Sequence, residues 1–249
     1  MTAISLFMPM YNERAYVDRM VASAQAVLEK LADEYEVLIV DDGSTDGSAQ
    51  IADRLTSENG HVRVLHHPRN LGYGAALRTG FANASKELVF YTDCDEPVDL
   101  NDLGRALALM TPDVDLIVGY RTDRHDTPRR WLYSHVYNAL MRLLFDVRVR
   151  DVNFSFKLVR RAVLHRVSLR AGSTFIDGEL LAEAVRHGFR IVEIPVEYHP
   201  RIAGKSSFDG LDAAIYTLRE MLSYSWHTRV RGLLAPRSGM PASGSGDKD

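Results

Sequence analysis

Along the first half of the chain, short apolar runs alternate with stretches of helical spacing. Ile4-Ser5-Leu6-Phe7-Met8 predicts a strand stopped by Pro9. From about Ala15 to Leu31, the residues Val17, Met20, Val21, Ala24, Val27, Leu28 and Leu31 fall on one helical face. Tyr35 to Val40 predicts a second strand, ending in Asp41-Asp42-Gly43-Ser44. Thr45-Asp46-Gly47-Ser48 offers caps for a helix to about Leu55. Val62 to His66 predicts a third strand, and Arg69-Asn70-Leu71-Gly72-Tyr73-Gly74 leads into a helix from about Ala75 to Ala84. Leu88-Val89-Phe90-Tyr91 begins a fourth strand that runs to Asp93. A helix over 101–110 and a fifth strand at Leu116-Ile117-Val118-Gly119 follow.

The second half has a different character. Trp131 to Phe145 predicts a helix, Asp151 to Val159 an extended stretch, and about Ala162 a short helix. Phe175 opens a helix through about His187, Ile191 to Val196 predicts a strand, and Phe208 to Leu234 one or two amphipathic helices. Residues from about Arg237 are rich in Gly, Ser, Pro and Asp and predict a disordered tail over 237–249. No internal repeat is visible.

Alternation of buried-looking strands with helices implies an α/β fold with a mostly parallel sheet flanked by helices. In such sheets ligands bind beyond the carboxyl ends of the strands. Unusual polar residues collect there: Tyr11, Asn12 and Glu13 after strand one, Asp41 and Asp42 after strand two, Asp93 and Asp95 after strand four, Tyr120 and Arg121 after strand five. Gly43, Gly47, Gly72 and Gly74 suit turns, and Ser44 and Asp46 suit caps.

Bulk composition narrows the class. With 249 residues the chain is long enough for one large domain with a real core. A net charge of −3 and a pI near 6.3 argue against a generic nucleic-acid binder. A lone cysteine, Cys94, allows no intrachain disulfide and fits a reducing, cytoplasmic setting. No stretch reaches the roughly 18 apolar residues of a spanning helix, and the start lacks a signal-peptide pattern.

Asp93-Cys94-Asp95 is the candidate centre. In extended backbone its two carboxylates point to the same side. They repel unless a cation lies between them, and a hard divalent ion with oxygen ligands, Mg²⁺ or Mn²⁺, suits that place. An isolated D-x-D is more simply a solvated acidic loop; here it joins three other polar strand ends.

Four blocks together carry a resemblance. Pro9-Met10-Tyr11-Asn12-Glu13, Val40 to Gly47, Arg69-Asn70-x-Gly72-x-Gly74 and Asp93-x-Asp95 resemble the family 2 glycosyltransferases of the GT-A fold, on the branch of the polyprenyl-phosphate sugar synthases. Gly119-Tyr120-Arg121, Asp151 with Phe154 to Leu158, Glu193 to Val196 and Arg201-x-x-Gly204-Lys205-Ser206 are similar to later blocks of that branch.

The resemblance implies an inverting, metal-dependent transferase. It would move a hexose, mannose or glucose, from a nucleotide-diphosphate sugar to polyprenyl phosphate. Pro9, Tyr11, Asn12, Glu13, Val40 and Asp42 would hold the nucleoside. Asp93 and Asp95 would hold Mg²⁺ or Mn²⁺ against the diphosphate, with the main chain of Cys94 beside the ligand. Arg121, Arg201, Lys205 and Ser206 would bind phosphate. The donor is GDP-mannose or UDP-glucose. Relatives often carry Gln as a further metal ligand where this chain has Pro97, and lysine where it has Ser207; Glu96 or water would then complete the metal shell. The implied organisation is one domain over 1–236, with a nucleotide-sugar half at 1–121 and an acceptor half at 122–236.

Two acceptor chemistries stay open. A lipid phosphate is already an anionic nucleophile and needs cations, for which Arg121, Arg124, Arg129 and Arg130 are at hand. A sugar hydroxyl needs a base, and Asp177 and Glu179 are the candidates, although both are also ordinary first-turn helix acids. A non-catalytic nucleotide-sugar-binding protein is the third possibility, prompted by Pro97. The helices at Trp131–Phe145 and Phe208–Leu234 have apolar faces beside basic residues. They suit either the core or the inner face of a membrane, where the chain would be peripheral, on the bilayer surface or a membrane-protein partner.

Overall fold

The computed structural model describes residues 1–95, 98–122, 128–198 and 211–234. Its elements in chain order are β1 (Ala3–Met10), α1 (Val17–Leu31), β2 (Glu34–Asp41), α2 (Ser48–Glu58), β3 (Val62–His66), α3 (Tyr73–Asn83), β4 (Leu88–Tyr91), α4 (Asp102–Leu109) and β5 (Leu116–Arg121). Then come α5 (Pro128–Phe145), β6 (Lys157–Arg160), α6 (Arg161–Leu164), α7 (Phe175–Arg186), β7 (Ile191–Val196) and α8 (Leu211–Leu234).

All the described strands join one sheet in the order β3-β2-β1-β4-β6-β5-β7. The pairs β1–β2, β1–β4, β2–β3 and β5–β7 are parallel, while β6 runs antiparallel to both β4 and β5. Two reversals cancel, so β5 again points the same way as β4. The carboxyl ends of β1, β2, β4, β5 and β7 therefore share one edge of the sheet, and the chain entering β6 arrives at that same edge. The sheet is mostly parallel, as the strand–helix alternation implies.

Residues of alternate parity go to opposite faces. Ile4, Leu6, Met8 and Met10 pack with α1, α2 and α4. Phe7, Leu38, Val40, Val89 and Tyr91 pack with α3, α5, α7 and α8. The predicted face of α1 is buried from Val17 to Leu28, with Leu31 packed at its margin. Phe7 meets Phe81 edge-on at 4.9 Å and stacks on Tyr91 at 5.5 Å. Such pairs add about 0.5–1.5 kcal/mol beyond area burial, and they lock α3 and β4 to β1 directly beneath the polar edge.

Several boundaries differ from expectation. Pro9 does not stop β1, which continues to Met10. Phe7 accepts from Thr92 on the β4 side, and Pro9 faces that side too, just past the end of β4 at Tyr91. A residue without an N–H costs no ladder bond there. The stretch after Asp151 becomes strand only at Lys157, because the chain first crosses the sheet edge. Residues 211–234 form one helix, not two. The expected tail lies outside the described residues.

Candidate active site

The first wall of the site is built by two loops that hold each other. Beyond β1, Asn12 turns the chain with a φ of 59°, a conformation that asparagine tolerates. Its side-chain Oδ1 accepts from Thr45 N at 2.8 Å, and its own N–H donates to Ser44 Oγ at 3.0 Å. Arg14 N donates to Asp46 Oδ2 at 3.1 Å. The β1 and β2 loops are thus one unit. Tyr11 stands exposed on it, while Glu13 starts α1 by accepting from Tyr16 N and Val17 N.

Asp42 is buried and fully engaged. Its Oδ1 accepts from Leu71 N at 2.8 Å and its Oδ2 from Gly72 N at 2.9 Å. His67 Nδ1 lies 2.7 Å from Oδ1 and must carry the proton, since a carboxylate only accepts. Gly43 has a φ of 74°, and a Cβ there would overlap the Arg69 main chain. Asp42 therefore secures the Arg69–Gly72 turn. Both oxygens of this expected nucleoside-binding acid thus accept from the scaffold. Val40, also expected beside the nucleoside, has its side chain wholly buried in the α3 face of the core. Pro9 pairs in register with Val40 at the strand end.

Asp93 and Asp95 follow β4. Burial pushes the Asp93 carboxyl up to about 7, helped by the charges of Asp95 and Asp177; hydrogen bonds from Ser155 and Tyr73 work the other way. Tyr73 OH donates to Asp93 Oδ1 at 3.1 Å. Cys94, between the two acids, is buried. A buried carboxylate beside a second acid is stabilised in its charged form by a nearby cation. Its donors are hard oxygens. No group of three or more His, Cys, Asp or Glu side chains is arranged to hold an ion among the described residues. Two hard carboxylates beyond one strand fit a divalent cation that takes its remaining ligands from diphosphate oxygens and water. Glu96 and Pro97, the positions in question for a third ligand, lie outside the described residues.

Behind this pair is a buried polar network. Lys157 Nζ donates to Asp177 Oδ1 at 2.7 Å and to Phe154 O at 2.7 Å. Tyr91 OH also donates to Asp177 and lies 3.1 Å from Lys157 Nζ. Asp177 is 2% exposed. The carboxylate expected as the base for a hydroxyl acceptor is thus paired with a buried ammonium. Glu179 is likewise engaged, accepting from Arg170 N and Ala171 N at 2.8 Å each.

Arg121, at the end of β5, forks onto Asp151 with Nε–Oδ2 at 2.7 Å and a second bond of 3.2 Å. Its guanidinium also lies over Phe154 and Tyr198, at 5.6 and 5.3 Å from the ring centres. Arg121 and Asp151 border a cavity of about 550 Å³ beneath α5, together with Arg142, Arg150, Trp131 and His135. Arg150 lies 4.4 Å over the Tyr120 ring. The structure therefore brings Arg121 to a cationic, partly apolar hollow at the carboxyl edge. Arg201, Lys205, Ser206, Ser207 and Arg124, with the side chains of Arg129 and Arg130, lie outside the described residues.

Sequence reasoning missed Tyr73, Lys157 and Asp151's pairing. A lysine inside Phe154-Ser155-Phe156-Lys157-Leu158-Val159 was the available signal, since such a lysine requires a buried acid. Nothing in the sequence pointed to Tyr73.

The family model of glycosyl transferase family 2 matches residues 5–168. Glycosyltransferase AglD of Haloferax volcanii is 31% identical over 243 residues, 94% of this chain but 39% of its own length. The polyprenol monophosphomannose synthase of Mycolicibacterium smegmatis is 29% identical, over 92% of this chain and 90% of its own. Among solved structures, glucosyl-3-phosphoglycerate synthase from Mycobacterium tuberculosis with Mn²⁺ and UDP-glucose superposes with a TM-score of 0.66 at 22% identity, covering 90% of this chain and 79% of that one. Mannosyl-3-phosphoglycerate synthase from Rubrobacter xylanophilus gives 0.65 at 17% identity, over 96% and 79%. At these identities the structural likeness speaks for the GT-A fold.

Proposed function

The chain belongs to glycosyl transferase family 2, and from that premise we propose that it transfers a hexose from a nucleotide-diphosphate sugar to polyprenyl phosphate with inversion. The observation that carries this reading is the hollow of about 550 Å³ bordered by Arg121, Arg142 and Arg150. Guanidinium groups suit phosphate oxygens, and Trp131 at its rim is exposed, as are Leu132 and Val136 along α5. A phosphate group on an apolar tail fits cations beside an apolar face.

The phosphate oxygen attacks the anomeric carbon on the face opposite the nucleotide. A new C–O bond forms as the bond to the diphosphate breaks, and the nucleoside diphosphate departs with the electron pair. The phosphate is already ionised, so no base is needed, which agrees with Asp177 being committed to Lys157. Asp93 and Asp95 would hold Mg²⁺ or Mn²⁺, which supplies charge to the departing diphosphate. Tyr11, Asn12 and Glu13 would meet the nucleoside, with the Arg69–Gly72 turn that Asp42 secures as part of the same wall. The relative named a polyprenol monophosphomannose synthase supports the lipid acceptor, and the neighbour holding Mn²⁺ and UDP-glucose supports a metal and a nucleotide sugar.

A peripheral place on a membrane follows from the same reading. Among the described residues no helix is long and apolar enough to cross a bilayer. On α8, Ile215, Leu218, Leu222 and Trp226 form one exposed stripe. An exposed apolar stripe with a tryptophan suits the interface.

Small phosphorylated hydroxyl acceptors are the second reading, favoured by the same basic hollow. Purified protein is incubated with GDP-mannose or UDP-glucose, Mn²⁺, and either polyprenyl phosphate in vesicles or 3-phosphoglycerate. The expected result is metal-dependent nucleoside diphosphate release with the lipid alone. Release with 3-phosphoglycerate and not with the lipid overturns the first reading.

A further inference from the structure

We infer that Tyr73 is a positioning residue for Asp93, and that Tyr73 is itself set by the segment Arg170–Ser173, which Glu179 and Glu220 clamp from two helices. The inference rests on the reading of Asp93 and Asp95 as metal ligands.

Tyr73 opens α3, and its hydroxyl donates to Asp93 Oδ1 at 3.1 Å. A bond to one carboxylate oxygen restrains the side-chain torsion, and with it the direction in which the carboxylate faces a cation. The ring packs against the core, but the main chain of Tyr73 decides where the hydroxyl lands. That main chain is held by a segment from the other half of the protein. Gly74 N donates to Gly172 O at 3.1 Å. A Cβ on Gly74 would overlap the Ala171 carbonyl oxygen, so close approach, not a turn, requires glycine here. One turn along α3, Arg78 donates to the carbonyls of Arg170, at 3.1 Å, and of Ala171.

The segment has its carbonyls on α3 and its amides on two carboxylates. Glu179 of α7 takes Arg170 N and Ala171 N at 2.8 Å each. Glu220 of α8 takes Gly172 N and Ser173 N at 2.9 Å each, and Ser173 Oγ at 2.5 Å. Four consecutive amides thus go to two charged acceptors, and charge-assisted bonds are the strong, directional kind. A connector that served only to join α6 to α7 would leave those amides to water. The path runs Glu220, Gly172, Gly74, Tyr73, Asp93, and so links α8 to the D-x-D without passing through a ligand.

The test reads Mn²⁺ binding in the full chain by electron paramagnetic resonance of the free ion, with GDP and in parallel with UDP, and no acceptor. Tyr73→Phe keeps the ring and is expected to weaken Mn²⁺ about tenfold, the scale of one hydrogen bond to a charged group. Glu220→Gln is expected to weaken it in the same direction. Glu183→Gln is the control: it weakens the contact of α8 with α7 by neutralising the acceptor of Tyr224 OH but touches no amide of the segment, and Mn²⁺ affinity is expected to hold. Every variant is measured well below its own melting temperature. Unchanged Mn²⁺ affinity in Tyr73→Phe overturns the positioning role, and an equal loss in Glu183→Gln and Glu220→Gln overturns the clamp. If the unaltered protein shows no Mn²⁺ binding that Asp95→Ala removes, the metal reading falls and this inference with it.

Discussion

Lys157 and Asp177 form an ion pair sealed inside the protein, with Nζ and Oδ1 2.7 Å apart and side chains 0% and 2% exposed. Removing one partner of such a pair leaves an uncompensated buried charge and costs about 3–5 kcal/mol. Asp177→Asn is expected to lower stability on that scale in urea unfolding. Its turnover with polyprenyl phosphate, per folded molecule, should stay within an order of magnitude. Loss of a general base would instead cut turnover by about 10²–10⁴. Full folding with a loss of that size would show that Asp177 takes part in the transfer itself and not only in the buried pair with Lys157.

Arg121 and Asp151 test the phosphate hollow. Asp151 is 2% exposed and takes both bonds of the guanidinium fork. Lysine keeps the charge but cannot reproduce the fork or the stacking on Phe154 and Tyr198. Arg121→Lys should cost about 1–3 kcal/mol of stability, from the poorly satisfied buried carboxylate. KM for polyprenyl phosphate should rise roughly tenfold while donor affinity holds, because the fork orients the arginine at the hollow. A rise in donor Kd with an unchanged acceptor KM would move Arg121 to the donor side.

The sheet was legible because a strand–helix alternation has few solutions, and the face of α1 could be read residue by residue from its period. The polar strand ends were legible as a group for the same reason: the topology puts them on one edge. Their individual duties were not. Asp42 and Asp177 look alike in sequence to ligand-binding acids, yet their partners, Leu71 and Gly72 or Lys157, come from other elements. Long-range hydrogen bonds leave no local pattern. The antiparallel β6 was missed because Lys157-Leu158-Val159-Arg160 is too short to state its direction. Tyr73 carries no signal beyond its two flanking glycines.

Asp95 tests the metal reading directly. Donor plus Mn²⁺ should raise the melting temperature, since a ligand that binds only the native state adds about 2.7 kcal/mol at a hundredfold excess over Kd. EDTA should remove most of that rise in the unaltered protein, and Asp95→Ala should show little of it in the first place. Transfer in Asp95→Ala should fall about 10²–10³-fold, the worth of several kcal/mol of leaving-group stabilisation. Undiminished transfer in this variant, or in EDTA, would refute metal-assisted departure.

Glu36 offers a prediction at the opposite edge of the sheet. Its buried carboxylate accepts from Ser5 Oγ at 2.6 Å, Ser85 N at 2.7 Å and Ser85 Oγ at 2.8 Å, with Arg63 at 3.4 Å. Burial alone would raise this carboxyl, but the three hydrogen bonds and Arg63 outweigh it and hold it below its ordinary value. The folded state therefore binds this proton less readily than the unfolded chain. Glu36 adds stability above the unfolded carboxyl value, near about 4.3, and that stability is lost as pH falls through the lowered folded value. Glu36→Gln should cost about 1–3 kcal/mol at neutral pH, and the gap to the unaltered protein should narrow at about pH 4 and below. Urea unfolding across this range measures it. Turnover should be unaffected at temperatures where both are folded, because Ser5, Glu36 and Ser85 lie a full strand length from Asp93. A gap that stays constant with pH would show that the hydrogen bonds work equally well for a neutral acceptor.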